Sequence, residues 1–285
     1  MKYIKDGFDL LRTTFTEWNQ DGAPRLAASL AYYTVFSIAP LLIIIIAIIG
    51  FVISEDAVRS NIIHQVQLAV GSDAAQFVRD LIDNMSQPSQ GIISTLLGVV
   101  ALLLGAIGVF DNLQVALDII WNVDQSKRKT GVLTVVKDKL LSFGMLLVVG
   151  MLLLISLVIS TILSALNTYV ISQLPGGDFL LQLVSFAISA GVITLLFAMI
   201  YKVLPHIRLE WRDVWVGAAV TAILFSIGKM LLAFYLARSS TASPYGAAGA
   251  FVLILLWVYY SAQIILFGAE FTQVYARRHG SKTYL

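Results

Sequence analysis

Six long apolar runs constrain the fold of this chain more than any other feature of its sequence. A helix that crosses the roughly 30 Å hydrocarbon core of a bilayer needs about 20 apolar residues. The runs cover residues 27–53, 92–110, 140–166, 179–204, 214–237 and 246–274. They lack the polar and apolar alternation of barrel strands, and a backbone in lipid must satisfy its own hydrogen bonds. We therefore predict an all-α fold class, a polytopic bundle of six transmembrane helices.

Composition agrees with this prediction and excludes several classes of site. Of the 285 residues, 58% are apolar and only 13% are charged, whereas soluble proteins carry roughly 25% charged residues. The formal net charge of +2 gives no global field for attracting nucleic acid. The chain has no cysteine, and its three histidines are scattered along the sequence. We expect no metal, no cofactor and no nucleic-acid partner.

The distribution of lysine and arginine predicts the orientation of the bundle. Fifteen of the 19 cations lie in the N-terminal tail, in the loops after the second and fourth runs, or in the C-terminal tail. The alternate loops hold Arg59, Arg79 and Arg238, while Lys229 lies inside the fifth run. Both termini are therefore predicted to be cytoplasmic. With no internal repeat and no low-complexity linker, residues 1–285 are predicted to form one membrane domain.

Three segments outside the apolar runs have helical patterns of their own. Residues 55–90 show two helical patterns that break at Gly71, which predicts a small extracytoplasmic helical cap. Asp111 and Asn112 are placed to cap a short inner helix that continues to Trp121. Near the N-terminus, apolar residues gather on one helical face, which predicts an amphipathic helix in the inner interface. These residues are Ile4, Phe8, Leu11, Phe15 and Trp18.

Three stretches of the sequence resemble one known family. They are Ala27-Ala28-Ser29-Leu30-Ala31-Tyr32-Tyr33-Thr34 with Pro40, then Ala116-Leu117-Asp118-Ile119-Ile120-Trp121-Asn122-Val123, and last Tyr245-Gly246-Ala247 through Trp257-Val258-Tyr259 to Gly268-Ala269-Glu270. In order and spacing the chain resembles the YihY/BrkB-like family of bacterial inner-membrane proteins, formerly labelled ribonuclease BN. The resemblance implies a six-helix protein of the bacterial inner (plasma) membrane. It implies no catalytic residue, and transport of envelope lipid or lipopolysaccharide is only suggested for its members.

The ribonuclease label can be compared with the residues themselves. Metal-assisted phosphodiester hydrolysis needs clustered carboxylates or histidines, and RNA binding needs a basic groove with exposed aromatics. The inner loops are basic, but the positive-inside rule explains this completely, and they carry no HxE, HExxH or DxD-like motif. We expect no enzyme activity.

Lys229 is the single residue whose position most requires an explanation. It lies about 22 Å into the bilayer from the inner end of its helix, and intramembrane ionisable residues commonly mark a substrate path. Ser243 is placed as the N-cap of the last helix, beside free backbone N–H groups and Arg238. We predict an anion site formed by Lys229, Arg238, Ser243, Tyr245 and Gly246. Two alternatives stay open: Lys229 snorkels to the outer headgroups, or the loop merely caps and packs the helix.

The last run also carries a polar stripe. Tyr259, Gln263 and Glu270 fall within about 40° of one another on a helix, which predicts that they face inward. A structural salt bridge at the inner interface is the favoured interpretation of Glu270. Three cations are candidates for neutralising its carboxylate: Arg25, Lys202 and Arg208.

Two classes of function fit these observations, and a third is disfavoured. The first is a transport-type protein that translocates or hands on an anionic amphiphile, a lipid or lipid-linked glycan, for envelope biogenesis, with membrane lipids as partners. The second is a non-catalytic membrane scaffold that binds envelope-assembly partners or a second copy of itself. The disfavoured third is a ribonuclease. A cavity that reaches Lys229 and opens to lipid would favour the first class, and a closed bundle the second.

Overall fold

The computed structural model describes residues 2–50, 54–85, 92–123, 132–169, 177–207, 209–238 and 246–280. Within these residues the chain forms nine helices and no strand. The helices are α1 (Lys2–Gln20), α2 (Ala23–Gly50), α3 (Glu55–Val70), α4 (Ser72–Met85), α5 (Ile92–Ile120), α6 (Val132–Tyr169), α7 (Gly177–Val203), α8 (Trp211–Arg238) and α9 (Gly246–His279). The predicted all-α class is confirmed.

Four helices in the described part of the chain are long and apolar enough to cross a membrane. These candidate spans are Ala23–Gly50, Phe186–Val203, Trp211–Leu232 and Ala248–His279. Each of the six apolar runs falls largely within one helix, and several helices extend beyond their run. For example, α6 begins at Val132, well before residue 140, and α9 continues past residue 274 to His279.

The prediction of a separate short inner helix after Asp111 and Asn112 is wrong, because α5 continues to Ile120 without a break. The side-chain amide of Asn112 donates to the carbonyl of Gly108, one turn earlier, at 2.9 Å. The Asp111 carboxylate accepts a hydrogen bond from the Ser142 hydroxyl at 2.8 Å and also pairs with a lysine of α6. Both side chains are therefore engaged within the bundle, and neither caps a new helix.

Helix α2 packs against α5 and α9, while α8 lies between α7 and α9, and α6 contacts α5 and α7. Small residues allow the backbones of α8 and α9 to approach closely. A Cβ atom at Gly268 of α9 would overlap the hydroxyls of Thr221 and Tyr201, and one at Gly217 of α8 would overlap Thr272. The interface between α8 and α9 is therefore fixed by glycines on both helices.

One end of the bundle, which we call the α3–α4 end, is covered by two short helices. They separate at Gly71, whose φ of 108° is favourable for glycine, so the predicted break is confirmed. Arg59 and Asp83 join the two helices through an ion pair of 2.6 Å. The pair packs against α2 and α9 and touches α8. Residues 86–90 of the predicted cap lie outside the described residues, and the extracytoplasmic placement stays a prediction.

The opposite end, which we call the α1 end, carries α1 and the last turns of α9. Leu10 and Thr14 of α1 are buried, and Leu10 packs against Phe271 and Val274 of α9. Three successive residues of α9 bind the polar side of α1: Arg277 pairs with Glu17, Arg278 with Thr13, and His279 with Asp6. Phe8, Leu11 and Phe15 remain 69%, 48% and 60% exposed. The amphipathic helix is confirmed, and its place in the membrane interface stays a prediction.

Candidate functional site

The structure describes only part of the predicted anion site. Lys229 is exposed on α8, beside Ile227 and Met230, which are 52% and 76% exposed. Its side chain therefore points away from the bundle interior, on an apolar surface. Arg238 ends α8 and Gly246 begins α9. Ser243 and Tyr245 lie outside the described residues, so the anion site stays a prediction.

The three residues of the predicted polar stripe lie along α9 and differ in burial. Tyr259 and Gln263 are half-buried, whereas Glu270 is fully buried at 0% exposure. Among the described residues, no N–H or hydroxyl group donates to the Gln263 side-chain oxygen or to either carboxyl oxygen of Glu270. Buried polar groups in proteins are nearly always hydrogen-bonded. A buried carboxyl group that lacks a nitrogen or hydroxyl donor is therefore the most unusual feature of the described core.

The charges around Glu270 differ from those predicted. Lys202 donates to the carbonyl of Leu209 and lies 5.5 Å from the ring centre of Trp211. Arg25 folds back over Gly22 in the α1–α2 turn, and Arg208 lies outside the described residues. Counting along the sequence gives the depth of a residue in the bundle but not which helix faces it. The structure shows that α1 packs against the end of α9, so that α1 and the α1–α2 turn supply two of the three charged neighbours.

Those neighbours are Glu17, Asp21 and Arg277. Asp21 lies in the turn between α1 and α2, and its side chain faces Glu270. Burial raises the pKa of Asp21; the Glu17 carboxylate also raises it, while the contact with Glu270 and the charge of Arg277 oppose the rise. Arg277 is already paired with Glu17. The α1 end thus brings three carboxyl groups together around one guanidinium.

A second polar cluster at the α1 end was missed by the sequence analysis. His206, in the segment between α7 and α8, lies between Asp118 at the end of α5 and Asp138 near the start of α6. Its Nδ1 is 2.8 Å from Asp118 Oδ2, and its Nε2 is 3.0 Å from Asp138 Oδ1. The backbone N–H of His206 also donates to Asp118 Oδ1 at 2.9 Å. One imidazole therefore ties three parts of the chain together.

This arrangement favours a protonated imidazole, because both ring nitrogens then donate to carboxylates. Burial alone lowers the pKa of His206, but the hydrogen bonds and charges of Asp138 and Asp118 outweigh it, so the pKa is raised. Asp118 is only 1% exposed, and its two oxygens are both used. The cluster acts as a structural tie, since neither imidazole nitrogen is free to accept a proton from a substrate.

A pocket of about 390 Å³ opens beside this tie, lined by Lys137, Lys202 and Asp138 together with apolar residues of the segment after α7. A second pocket, of about 440 Å³, lies along the polar side of α1 and is lined by Arg12, Glu17 and other residues. Both belong to the α1 end, and Lys229 lines neither of them. Across the described parts of the chain, no group of three or more His, Asp or Glu side chains is arranged to hold a metal ion.

Comparison with known proteins gives one family. The sequence model of the family described as Virulence factor BrkB matches residues 14–284. A UPF0761 membrane protein of Alteromonas mediterranea is 32% identical over 270 residues, covering 93% of this chain and 86% of the relative. A UPF0761 membrane protein of Tolumonas auensis is 30% identical over 262 residues, covering 88% of this chain and 80% of the relative.

Some relatives are longer than this chain. A UPF0761 membrane protein of Pseudomonas paraeruginosa is 27% identical over 271 residues, which cover 94% of this chain but 63% of the relative. No solved structure matches. The family match and the relatives confirm the resemblance that the sequence motifs indicated. The chain belongs to the BrkB family of membrane proteins.

Proposed function

We propose that this protein is a multi-pass, non-enzymatic protein of the bacterial inner membrane that translocates or hands on an anionic amphiphile during envelope biogenesis. The observation that supports this most is the exposed Lys229 on the apolar surface of α8. An ammonium group inside a bilayer costs of order 3 kcal/mol on insertion scales. An anionic headgroup at this surface would offset that cost through charge-assisted hydrogen bonds. The ligand class is a lipid or lipid-linked glycan that carries a phosphate.

The proposed topology has six transmembrane helices and both termini in the cytoplasm. A single cysteine at Ser60, which is exposed on α3, should react with an impermeant thiol reagent added to intact cells. A single cysteine at Ser126, beside the basic residues Lys127, Arg128 and Lys129 of the sequence, should react only after the membrane is opened. The chain has no native cysteine, so all labelling reports the introduced site. Labelling of the Ser126 variant in intact cells would reverse the proposed orientation.

Lys229→Met should reduce the amount of anionic lipid that co-purifies with the protein, because the charge that holds the headgroup is gone. Native mass spectrometry of the parent and variant, purified from the same vesicles containing phosphatidylglycerol, measures this amount. Lys229→Arg should keep part of the binding, since the charge remains while the geometry differs. Arg79→Met is the matched control, because it removes one positive charge from an exposed position on α4. Equal lipid retention by Lys229→Met and the parent would exclude Lys229 from a binding site.

Two observations favour the scaffold alternative, and the first is that Lys229 lines neither of the two pockets at the α1 end. The second is that Gly228, next to Lys229, packs against α9 so closely that a Cβ atom there would lie 2.7 Å from atoms of Tyr260 and Ile264. The two helices therefore leave no passage between them at this level. Vesicles containing the protein and a fluorescently labelled phosphatidylglycerol separate the two functions. A transport protein should carry inner-leaflet label to an external quencher, and more slowly after Lys229→Met, whereas a scaffold should leave the inner-leaflet label protected.

A further inference from the structure

The surroundings of Glu270 would make a permanently charged carboxylate very unfavourable in free energy. Glu270 is 0% exposed, and neither oxygen accepts a hydrogen bond from an N–H or hydroxyl group of the described residues. Its polar contact is with the carboxyl group of Asp21. A carboxylate moved out of water without compensation is so unfavourable that the group normally takes up a proton or binds a cation. The residues around Glu270 therefore determine whether its carboxyl group holds a proton or a cation.

The elements packed around Glu270 contribute more negative than positive charge. Glu17 comes from α1, Asp21 from the α1–α2 turn, and Arg277 from α9 itself. Of the other elements at this level, α8 meets α9 through Gly217 and Thr221, which carry no titratable group. Helix α7 places the Tyr201 hydroxyl near Gly268, and Arg25 of α2 folds over Gly22 beside Asp21. Arg277 is paired with Glu17, which leaves Asp21 and Glu270 facing each other. Two carboxylates held in contact away from water repel each other, and one shared proton removes that repulsion.

Acidic side chains of decreasing exposure lie between water at the α1 end and this pair. The Glu17 side chain is 22% exposed and lines the pocket of about 440 Å³ on the polar side of α1. Asp21 is half-buried in the adjoining turn, and Glu270 lies deeper. On the same face of α9, the unpaired oxygen of Gln263 lies about 10 Å further into the bundle. Side-chain oxygens that can accept a proton or a hydrogen bond are thus spaced from the pocket toward the bundle interior.

We propose that Glu270 and Asp21 form a proton-binding site within the bundle, which takes up and releases one proton at the α1 end. A proton fits better than a metal cation, because metal ions need several oxygen ligands around them. The described residues contain no group of three or more acidic or histidine side chains arranged for that. The site deepens the proposed transport function, on which its role rests, because uptake of one proton changes the charge on α9, the helix that packs against the Lys229-bearing helix α8.

Infrared spectroscopy of the full-length protein in lipid vesicles tests the site directly. The parent should show the C=O stretch of a protonated carboxyl group at neutral pH. Ordinary carboxyl groups have lost their proton at that pH, because they titrate at about pH 4 to 5. The band should shift in D₂O, because the proton exchanges. Glu270→Gln, a neutral variant of the same shape, should remove it. Asp21→Asn should keep the band and lower its titration midpoint, because a like charge is lost. Asp56→Asn, at an exposed position on α3, should leave the band unchanged.

Three results would overturn the proposal. They are a band that survives Glu270→Gln, a parent without any protonated carboxyl group at neutral pH, and a band that disappears when sodium replaces choline at constant pH. The last result would assign the site to a metal cation instead. If Glu270→Gln does not fold, labelling of the parent by dicyclohexylcarbodiimide, which attacks protonated buried carboxyl groups, serves instead. Labelling at Glu270 that declines as the pH rises supports the site, and its absence at neutral pH overturns it.

These measurements do not depend on lipid movement. A band assigned to Glu270 in vesicles whose labelled inner-leaflet lipid stays protected would refute the transport proposal and leave the proton site intact. Lipid movement in a protein that lacks the band would refute the proton site and leave the transport proposal intact.

Discussion

Asp118→Ala is expected to lower the free energy of unfolding by about 3 kcal/mol, because removing one partner of a buried charged pair leaves the other uncompensated. The variant loses two hydrogen bonds to His206, one from the imidazole and one from the backbone N–H. The loss is smaller than for a fully buried pair, since the His206 side chain is 27% exposed and keeps its contact with Asp138. Steric trapping in bicelles or thermal unfolding in detergent measures the change.

The effect of Asp118→Ala should also depend on pH. Because the folded protein raises the pKa of His206, the tie contributes fully below the unfolded value of 6.5 and is lost as the pH rises through the raised pKa. The difference between parent and variant should therefore shrink as the buffer becomes alkaline. Asp83→Ala is the control, because its ion pair with Arg59 is half exposed and contributes at most about 1 kcal/mol. Equal losses for the two variants would show that Asp118 does not hold the tie.

Gly268→Ala is expected to lower the free energy of unfolding by about 2 to 3 kcal/mol, as overpacking of a dense interface does. The new methyl group would overlap Thr221 and Tyr201. These residues are hydrogen-bonded to each other at 3.0 Å, and the Tyr201 hydroxyl donates to the carbonyl of Ile265 at 2.7 Å. Relieving the overlap would break buried hydrogen bonds, so the interface cannot adjust cheaply. The same unfolding measurement applies.

Gly191→Ala provides the matched comparison for this interface. Gly191 lies in α7, and a Cβ atom there would meet no atom of the described residues within 4 Å. Alanine should stabilise that helix by up to about 1 kcal/mol, because glycine is a poor helix former. A second change, Thr221→Ala, should partly restore Gly268→Ala by removing one of the two overlaps. If both glycine variants shift stability equally, close contact between α8 and α9 is not the cause.

The local parts of the fold follow from the sequence because their causes are local. The apolar face of α1 is set by residues three and four positions apart, and the break between α3 and α4 is set by a glycine with a positive φ. The polar pair Asp111 and Asn112 led to a wrong prediction, because the same side chains can cap a helix or bond within it. A partner from α6, Ser142, decided the outcome, and it lies 31 residues away.

The candidate sites depend on contacts that no local pattern encodes. His206 is 88 residues from Asp118 and 68 from Asp138, and the three come from different elements. The only sequence signal was that Asp118 falls within a family motif, which gave no indication of its partner. Helical spacing placed Glu270 on the polar stripe of α9, but it could not show that α1 returns to the bundle with Asp21.

The exposed aromatic side of α1 has a practical consequence for handling the protein. Phe8 and Phe15 lie outside the ring of packed helices, on a segment that the final residues of α9 hold firmly in place. The hydrophobic perimeter is therefore wider at the α1 end than the bundle alone would make it. The detergent that surrounds the bundle must therefore also cover the exposed aromatic side of α1. Detergents that form small micelles should leave it bare and promote aggregation, and a shortened chain without α1 would uncover the Leu10 contact surface on α9 instead.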